Sequence, residues 1–286
     1  MIFIKKKNYI KNIFYIILIV VIILIILYKI SKYTYENFNN LEEENILLNI
    51  PKEHIKTINI TENNKPNEIP LNLFMCWKTK NLPPSMNKLV NKIIEENPDF
   101  KIYIFDDDDC RNMIEKYFIQ DVVDAFDNLV PGAYKADLWR YCVLYLYGGI
   151  YQDIKYEPVN GFKYKELVDK EYFVKDRKIG GEGIYNALMV CKKNNTILEK
   201  AIKSIVKNVK NKYYGTNPLS PTGPLLLKLF FSQSDIDKLV MKFNEDSIFY
   251  NEKKILLTYN AYRDEQKKYG TPHYNDLWHT KKIYNK

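Results

Sequence analysis

The sequence lacks the residue patterns that mark several common classes of functional site. Its 4 cysteines are widely separated and its histidines number only 3, and no Cys-x-x-Cys pair or Cys/His spacing indicates a zinc site. The net charge is +8, but the lysines beyond the N-terminus are scattered among acidic residues, which is typical of a solvated surface. The sequence has no internal repeat and no basic face interleaved with aromatic residues, so it does not indicate nucleic-acid binding.

The longest apolar segment lies near the N-terminus. Residues 13–28 are unbroken and apolar, and with Ile10 the stretch reaches 19 residues, close to the roughly 20 that cross a hydrocarbon core. Lysines crowd the preceding residues, so the positive-inside rule places the N-terminus in the cytosol. The small residues that follow a cleaved signal peptide are missing. We predict an uncleaved signal anchor over residues 1–30 rather than a core helix, because the segment has no polar face.

The rest of the chain divides into a polar segment and a folded domain. Residues 31–69 are rich in Asn, Glu and Lys without sustained periodicity, which predicts a stem. Residues 70–286 form the predicted domain. The expected protein crosses the membrane once, with this domain in the Golgi or ER lumen, or across the inner membrane if the source is bacterial.

Short apolar runs alternate with amphipathic segments in the first half of the domain, which predicts an α/β fold. The first predicted elements are a strand over 71–77, a helix over 85–97 capped by Ser85, a strand over 101–105 and a helix capped by Asp108 or Asp109. Later predicted elements are a buried helix over 134–147, strands over 172–174, 184–191 and 254–259, and helices over 196–210 and 225–231. This order favours parallel strands, whose carboxyl ends face the ligand, and Trp77 and Asp106 lie at such ends.

The segment from Ala136 to Pro158 carries the most informative chemistry. Asp137 and Arg140 share one face of a nearly all-apolar helix, so they either pair with each other or meet a polar ligand. Gly148 and Gly149 then allow a sharp turn and the close approach of a ligand.

Asp153 follows that turn, where a carboxylate can hold a divalent cation or a sugar hydroxyl. An Asp-x-Asp loop commonly holds a metal with a nucleotide diphosphate, because hard cations prefer oxygen ligands. The third position here is Lys155, whose ammonium binds phosphate oxygens but does not ligate a metal.

This segment resembles the sugar-binding region of glycosyltransferase family 32, whose loose pattern is P-G-x-x-[KS]-x-D-x-x-R-Y-x-x-L-Y-x-x-G-G-x-Y-x-D-x-D. The matching residues are Pro131, Gly132, Lys135, Asp137, Arg140, Tyr141, Leu144, Tyr145, Gly148, Gly149, Tyr151 and Asp153. The final Asp of the pattern is replaced by Lys155. Further similar stretches are Trp77-Lys78-Thr79, Asp106-Asp107, Tyr185-Asn186-Ala187, Thr222-Gly223-Pro224 and the segment from His273 to Trp278, so the resemblance covers roughly residues 69–284.

The resemblance implies a GT-A, Rossmann-like fold and the transfer of a hexose from a nucleotide-sugar, with retention, to a glycan, glycolipid or protein acceptor. It assigns catalytic roles to Asp137, Arg140 and Asp153, with the first two on the donor sugar, and we add Lys155, which stands where the pattern has Asp, as a fourth predicted catalytic residue. It assigns donor binding to Trp77, Asp106, Tyr134, Gly149, Asn186, Thr222 and Trp278. It assigns ligation of Mn²⁺ or Mg²⁺ to Asp153 and His273.

Each assignment has a structural alternative. Trp77 could be a core residue and His273 an ordinary loop residue. Asn186 and Thr222 could satisfy backbone groups at the ends of elements.

Lys155 leaves three hypotheses open. Its ammonium could replace part of the cation's charge on the leaving diphosphate. A metal could still bind through Asp153, Glu157 and the C-terminal tail. Activity could also be lost, which would leave a catalytically impaired sugar-nucleotide or glycan-binding protein.

Overall fold

The computed structural model describes residues 22–26, 28–29, 47–48, 69–177, 183–268 and 272–285. The chain divides into two compact units, Met1–Ile46 and Leu47–Lys286. The described residues of the first unit are helical. Among all the described residues, no helix is both long and apolar enough to cross a membrane. Most of the predicted anchor over residues 1–30 lies outside them.

Most of the predicted stem over residues 31–69 also lies outside the described residues. Leu47 and Leu48 are described, and both are buried in the core of the second unit. The backbone N–H of Ile119 donates to the carbonyl of Leu47, and Leu48 forms an antiparallel bridge with Phe118. Ile69 is also buried, so the folded unit includes three described residues that precede the predicted domain boundary.

The second unit contains alternating strands and helices in its first half and mostly strands later. The strands are β1 (Asn72–Cys76), β2 (Lys101–Phe105), β3 (Gly149–Gln152), β4 (Tyr156–Pro158), β5 (Tyr172–Lys175), β6 (Ile184–Cys191), β7 (Met241–Asn244), β8 (Ser247–Tyr250) and β9 (Lys253–Thr258). The helices are α1 (Pro84–Glu96), α2 (Asp107–Tyr117), α3 (Gln120–Asn128), α4 (Gly132–Tyr147), α5 (Thr196–Lys210), α6 (Pro224–Lys228), α7 (Gln233–Asp237), α8 (Tyr262–Lys268) and α9 (Tyr274–His279), with a 3-10 helix at Tyr164–Leu167.

These strands form one mixed nine-stranded sheet in the order β2-β1-β3-β6-β5-β7-β8-β9-β4. β1 pairs in parallel with β2 and β3, which confirms the α/β prediction for the first half of the domain. β6 is antiparallel to β3, and β7, β8 and β9 form an antiparallel meander. The parallel strands expected from the first elements are therefore confirmed. Beyond β3 most strand pairs are antiparallel, although β5 pairs in parallel with β7.

Helix α4 lies at the centre of the unit, where it contacts β1, β3 and β6 as well as α2, α3 and α5. Because it has neighbours on several sides, its apolar side chains are buried all round, as its composition predicts. Trp139 and Leu144 are completely buried. A charged side chain on such a helix must find its partners inside the protein.

Two predicted helix caps are wrong. Helix α1 begins at Pro84, a favoured first helical position, and the backbone N–H of Ser85 donates instead to Glu265 Oε1 at 2.9 Å. Helix α2 is capped by Asp106, whose Oδ1 accepts from the backbone N–H of Asp109 at 2.9 Å. Asp106 takes this role because it is the first residue after β2 with a carboxylate that can reach the free N–H groups.

The turn from α4 into β3 requires glycine for two reasons. Gly148 and Gly149 have φ angles of 63° and 114°, which side chains rarely tolerate. A Cβ atom at Gly149 would also lie 2.7 Å from the carbonyl oxygen of Asn72. The close neighbour of Gly149 is thus the backbone of β1, and packing within the sheet explains this glycine.

Candidate active site

A network of buried polar side chains joins α4 to the ends of two strands. Its members are Asp137, Arg140 and Tyr141 from α4, Tyr151 from β3, Asp153 and Lys155 from the turn that follows, Asn186 from β6, and Thr222 from the loop before α6. Elements that lie far apart in the chain meet here because β6 pairs with β3 directly beside α4.

Asp137 forms the inner end of this network. Its Oδ1 accepts a hydrogen bond from Asn186 Nδ2 at 2.8 Å, and its Oδ2 accepts one from Thr222 Oγ1 at 2.7 Å. Asn186 Nδ2 also donates to the hydroxyl of Tyr141 at 2.8 Å. The amide and the hydroxyl therefore hold the carboxylate in one orientation.

Arg140 lies between the two carboxylates. Its guanidinium is 3.4 Å from Asp137 Oδ1 and 3.1 Å from Asp153 Oδ1. It also donates to the carbonyl of Asn186 at 2.8 Å and covers the ring of Tyr151 at 4.4 Å. Since the side chain is 6% exposed, these contacts replace the water that the charge loses on burial. The pairing predicted from the i, i+3 spacing occurs, within a larger network.

Asp153 forms the outer end, and both of its oxygens have partners. Oδ1 accepts from the Tyr151 hydroxyl at 2.8 Å in addition to the contact with Arg140. Oδ2 lies 2.9 Å from Lys155 Nζ, and both of these side chains are 22% exposed. The outer end is thus cationic and reaches solvent.

The two aspartates have opposite pKa shifts. Burial raises the pKa of Asp137 above its ordinary value, although Arg140 and the hydrogen bonds from Thr222 and Asn186 act against this rise. Burial also acts to raise the pKa of Asp153, but the charges of Lys155 and Arg140 outweigh it and hold that pKa below its ordinary value.

Lys155 remains a cation in this position. Burial acts to lower the pKa of Lys155, but the Asp153 carboxylate outweighs burial and holds that pKa above its usual value. The ammonium also lies 5.2 Å from the ring centroid of Tyr156 and 5.8 Å from that of Tyr185. Carboxylate and ring faces together fix the charge at the solvent edge of the network.

Aromatic side chains line the site beyond Lys155, and no sequence pattern had assigned them a role. The hydroxyls of Tyr156 and Tyr185 are 2.7 Å apart, and Tyr185 stacks on Phe243 with ring centroids 3.9 Å apart. The abundance of tyrosine, with 24 residues, was a signal for such a polar aromatic wall, but it named no positions.

Helix α9 lies close to the inner end. Tyr274 packs against Tyr134 with ring centroids 5.9 Å apart, and Tyr134 donates its hydroxyl to the carbonyl of Pro218 at 2.5 Å. Burial raises the pKa of Tyr274, and nearby Asp137 adds to that rise. Trp278 donates from Nε1 to the carbonyl of Tyr214 at 2.7 Å. The predicted donor-binding residues Tyr134 and Trp278 therefore belong to the segments beside the network.

His273 caps α9, where its Nδ1 accepts from the backbone N–H of Asn275 at 3.3 Å. It is exposed, which matches the alternative of an ordinary loop residue. Its assignment as a metal ligand stays a prediction.

Three other predicted donor-binding residues lie outside the network. Trp77 follows β1 and packs edge-on against Tyr262 with ring centroids 6.4 Å apart. Asp106 caps α2 and lies 4.0 Å from Lys80. Gly149 begins β3, whereas Asp153 follows its other end. Donor contacts by these three residues remain predictions.

The described residues of this site do not fit a bound Mn²⁺ or Mg²⁺. In the described part of the chain, no group of three or more His, Cys, Asp or Glu side chains could hold a metal ion. The candidate ligand Asp153 is bonded through Oδ2 to an ammonium and through Oδ1 to a guanidinium and a hydroxyl. A cation ligated by this carboxylate would have to displace Lys155 or lie against it.

Comparison with known proteins identifies the segment that contains most of this network. Residues 83–174 match the family model described as a glycosyltransferase sugar-binding region containing the DXD motif. This region holds Asp137, Arg140, Asp153 and Lys155.

Named relatives are mannosyltransferases. The chain is 27% identical over 213 residues to inositol phosphoceramide mannosyltransferase 2 of Schizosaccharomyces pombe, which covers 74% of this chain and 58% of the relative. It is 34% identical over 91 residues to the initiation-specific alpha-1,6-mannosyltransferase of Candida albicans, which covers 30% of this chain and 24% of the relative. The chain thus spans less than two thirds of the length of either relative.

Among solved structures, PaToxG Glycosyltransferase is 23% identical to this chain, with a TM-score of 0.43 over 57% of this chain and 68% of that chain. A likeness at this level supports no inference about mechanism.

Proposed function

We propose that this chain is a glycosyltransferase that transfers a hexose from a nucleotide-sugar to a glycan, glycolipid or protein acceptor. The match of residues 83–174 to a glycosyltransferase sugar-binding region supports the proposal. The observation that carries the proposal is the buried network of Asp137, Arg140 and Asp153, which opens to solvent at Lys155. Buried charges held by several hydrogen bonds are typical of a site that positions a polar substrate.

Asp137 would hold the donor sugar. An ionised carboxylate has about four acceptor positions, and Oδ2 uses one of them for Thr222 Oγ1. A sugar hydroxyl could therefore donate to Oδ2 without displacing an existing partner. Arg140 would hold the two carboxylates at a constant separation and so fix the position of the sugar relative to Asp153.

We further propose a GT-A arrangement with front-face, retaining transfer. The parallel strands β2, β1 and β3 support it, because Asp153 follows β3 at the carboxyl edge where such sheets bind ligands. A leaving phosphate oxygen would take the proton of the acceptor hydroxyl, and the protein would contribute positioning and charge stabilisation.

Mannose is the first donor sugar to test, since the named relatives are mannosyltransferases. Inositol phosphoceramide is the first acceptor to test for the same reason.

Membrane anchoring and a lumenal position of the domain are also part of the proposal. They rest on the apolar run over residues 13–28 and on the lysines that precede it. Protease protection of the full chain in microsomes would test the orientation. Digestion of the domain without detergent would contradict it.

The test of function is transfer from a panel of nucleotide-sugars, GDP-mannose included, to inositol phosphoceramide and to oligosaccharide acceptors. Acceptor-dependent release of nucleoside diphosphate is expected, and NMR of the product should show the anomeric configuration of the donor. Arg140→Met should abolish release, whereas the same change at Arg111, a partly exposed residue that pairs with Asp127, should not. Binding of donors without turnover of any of them would instead identify a sugar-nucleotide-binding protein, the alternative that Lys155 raises.

A further inference from the structure

We propose that the Lys155 ammonium takes the charge role of the divalent cation at this site, so that the protein binds the diphosphate of its donor without metal. The inference rests on the proposed function, because it concerns how the same site holds a nucleotide-sugar. It selects one of the three roles for Lys155 that the sequence leaves open.

The first support is the position of the ammonium. Asp153 Oδ2 holds Lys155 Nζ at 2.9 Å, and the rings of Tyr156 and Tyr185 flank it. The side chain is 22% exposed, so the charge is held in place and still meets solvent. A cation that is already in position stabilises a diphosphate without reorganisation during binding.

The second support is the bonding of Asp153. Mg²⁺ bonds carboxylate oxygens at about 2.1 Å. Lys155 Nζ already lies 2.9 Å from Oδ2, while Arg140 and Tyr151 bond Oδ1. A metal on this carboxylate would face strong repulsion from two fixed cations at short range.

The third support is the balance of formal charge. Two carboxylates, Asp137 and Asp153, meet two cations, Arg140 and Lys155, so the network is formally neutral. An Asp in place of Lys155 would give the network a formal charge of −2, which a divalent ion would neutralise. A change from Asp to Lys removes one negative charge and adds one positive charge, so the net charge rises by two, as it does when a divalent ion binds. The diphosphate thus meets the same formal charge by either route.

Glu157, another candidate ligand, points elsewhere. Side chains alternate between the two faces of a strand, so Glu157 points away from the face on which Tyr156 meets Lys155. Glu157 instead lines a cavity of about 370 Å³ together with Lys92 and Glu96. The structure therefore offers no support for ligation by Asp153 and Glu157 together.

The test is calorimetric titration of the full chain with GDP and with UDP, each in excess Mn²⁺, in excess Mg²⁺ and in EDTA. For the nucleotide that binds, the affinities in the three conditions should agree within about threefold. Lys155→Met should weaken binding roughly tenfold or more in all three, because a charge-assisted contact to phosphate is lost. Lys155→Asp should bind weakly in EDTA and recover with Mn²⁺.

Lys165→Met is the matched control, because Lys165 is 68% exposed and pairs with Asp99 on the surface. It should bind as the wild type does. Wild-type binding that disappears in EDTA and returns with Mn²⁺ would overturn the metal inference alone, and this comparison needs no variant to fold. A folded Lys155→Met protein with unchanged affinity would overturn it too. Absence of binding to either nucleotide in every condition would overturn the proposed function, and this inference with it.

Discussion

The network has a carboxylate at each end, and the two carboxylates have different surroundings. In the inner half, Asp137 accepts hydrogen bonds from two neutral donors, Thr222 and Asn186, beside the Arg140 guanidinium, and burial raises its pKa. In the outer half, Asp153 is held by Lys155 and Arg140, and their charges lower its pKa.

The difference separates two tasks that one site has to perform. A carboxylate whose hydrogen bonds come from neutral donors keeps acceptor positions for the hydroxyls of a sugar. A carboxylate with cationic neighbours keeps those cations in position for phosphate oxygens. Arg140 touches both carboxylates and therefore couples the two halves. Substitution of Arg140 should break the coupling, and substitutions in either half should sharpen the contrast.

The largest effect is expected from Arg140→Met, which leaves the buried carboxylate of Asp137 without its cation and the partly buried Asp153 with Lys155 as its remaining cation. We expect the free energy of unfolding to fall by about 3–5 kcal/mol in urea denaturation, as for other buried pairs that lose one partner.

The matched change is Arg111→Met, where the guanidinium Nε lies 2.9 Å from Asp127 Oδ1 and the two side chains are 37% and 40% exposed. Its effect should be far smaller because water replaces the lost partner. If Arg140→Met and Arg111→Met lowered the free energy of unfolding equally, burial would not be what makes the ion pairs of Arg140 important for stability.

Thr222→Val tests the inner half alone. It removes a 2.7 Å hydrogen bond to a buried carboxylate, so a loss of about 1.5–3 kcal/mol is expected in urea denaturation. Thr258→Val is the control, because its hydroxyl donates to a carbonyl at 3.2 Å on a half-buried strand and should cost about 0.5 kcal/mol. If the control costs as much as Thr222→Val, the charge of Asp137 is not what makes this bond strong.

Lys155→Met tests the outer half, and its effect on stability should be modest. Asp153 keeps Arg140 and Tyr151, and the lost pair is partly open to solvent, so a decrease of about 1 kcal/mol or less is expected. Thermal unfolding with and without the bound nucleotide would separate this small loss from the larger loss of affinity. A decrease similar to that of Arg140→Met would place Lys155 among the structural charges of the network.

The finest test of the contrast is the sign of a pH dependence. The lowered pKa of Asp153 gives stability that is present above its ordinary value of about 3.9 and is lost as the pH falls. The raised pKa of Asp137 acts in the opposite sense, because the folded state binds this proton more readily and gains stability as the pH falls toward the ordinary value.

Free energies of unfolding between about pH 3 and pH 6 would measure both slopes. The stability advantage of the wild type over Asp153→Asn should shrink on acidification, whereas its advantage over Asp137→Asn should grow. If the stability difference from the wild type changed with pH in the same direction for both variants, the two aspartates would not have opposite pKa shifts.

Local spacing predicted much of this site. The i, i+3 pair on an apolar helix required Asp137 and Arg140 to find internal partners, and two glycines required a turn before Asp153. The contacts with Asn186 and Thr222 span 49 and 85 residues of sequence. Such pairings depend on strand order, so family resemblance suggested these residues where periodicity could not.

The parts of the fold that the sequence did not predict have local causes. The β8–β9 turn places Asn251 and Glu252 at positive φ, 46° and 64°, without the glycine that usually signals such a hairpin. The run from Asp106 to Asp109 offers several equivalent caps, and only the end of β2 decides among them. The fixed position of Lys155 likewise depends on ring faces contributed by β4 and β6.

The most direct test of the account is the affinity of Asp137→Asn for GDP-mannose and for GDP, or for the corresponding pair if another donor proves active, measured by calorimetry beside the wild type. If Asp137 holds the donor sugar and Lys155 the diphosphate, the variant should bind the nucleotide-sugar roughly tenfold or more weakly and bind the nucleoside diphosphate unchanged. Equal weakening of both ligands, or no weakening of either by the folded variant, would contradict the assignment of this network to the donor sugar.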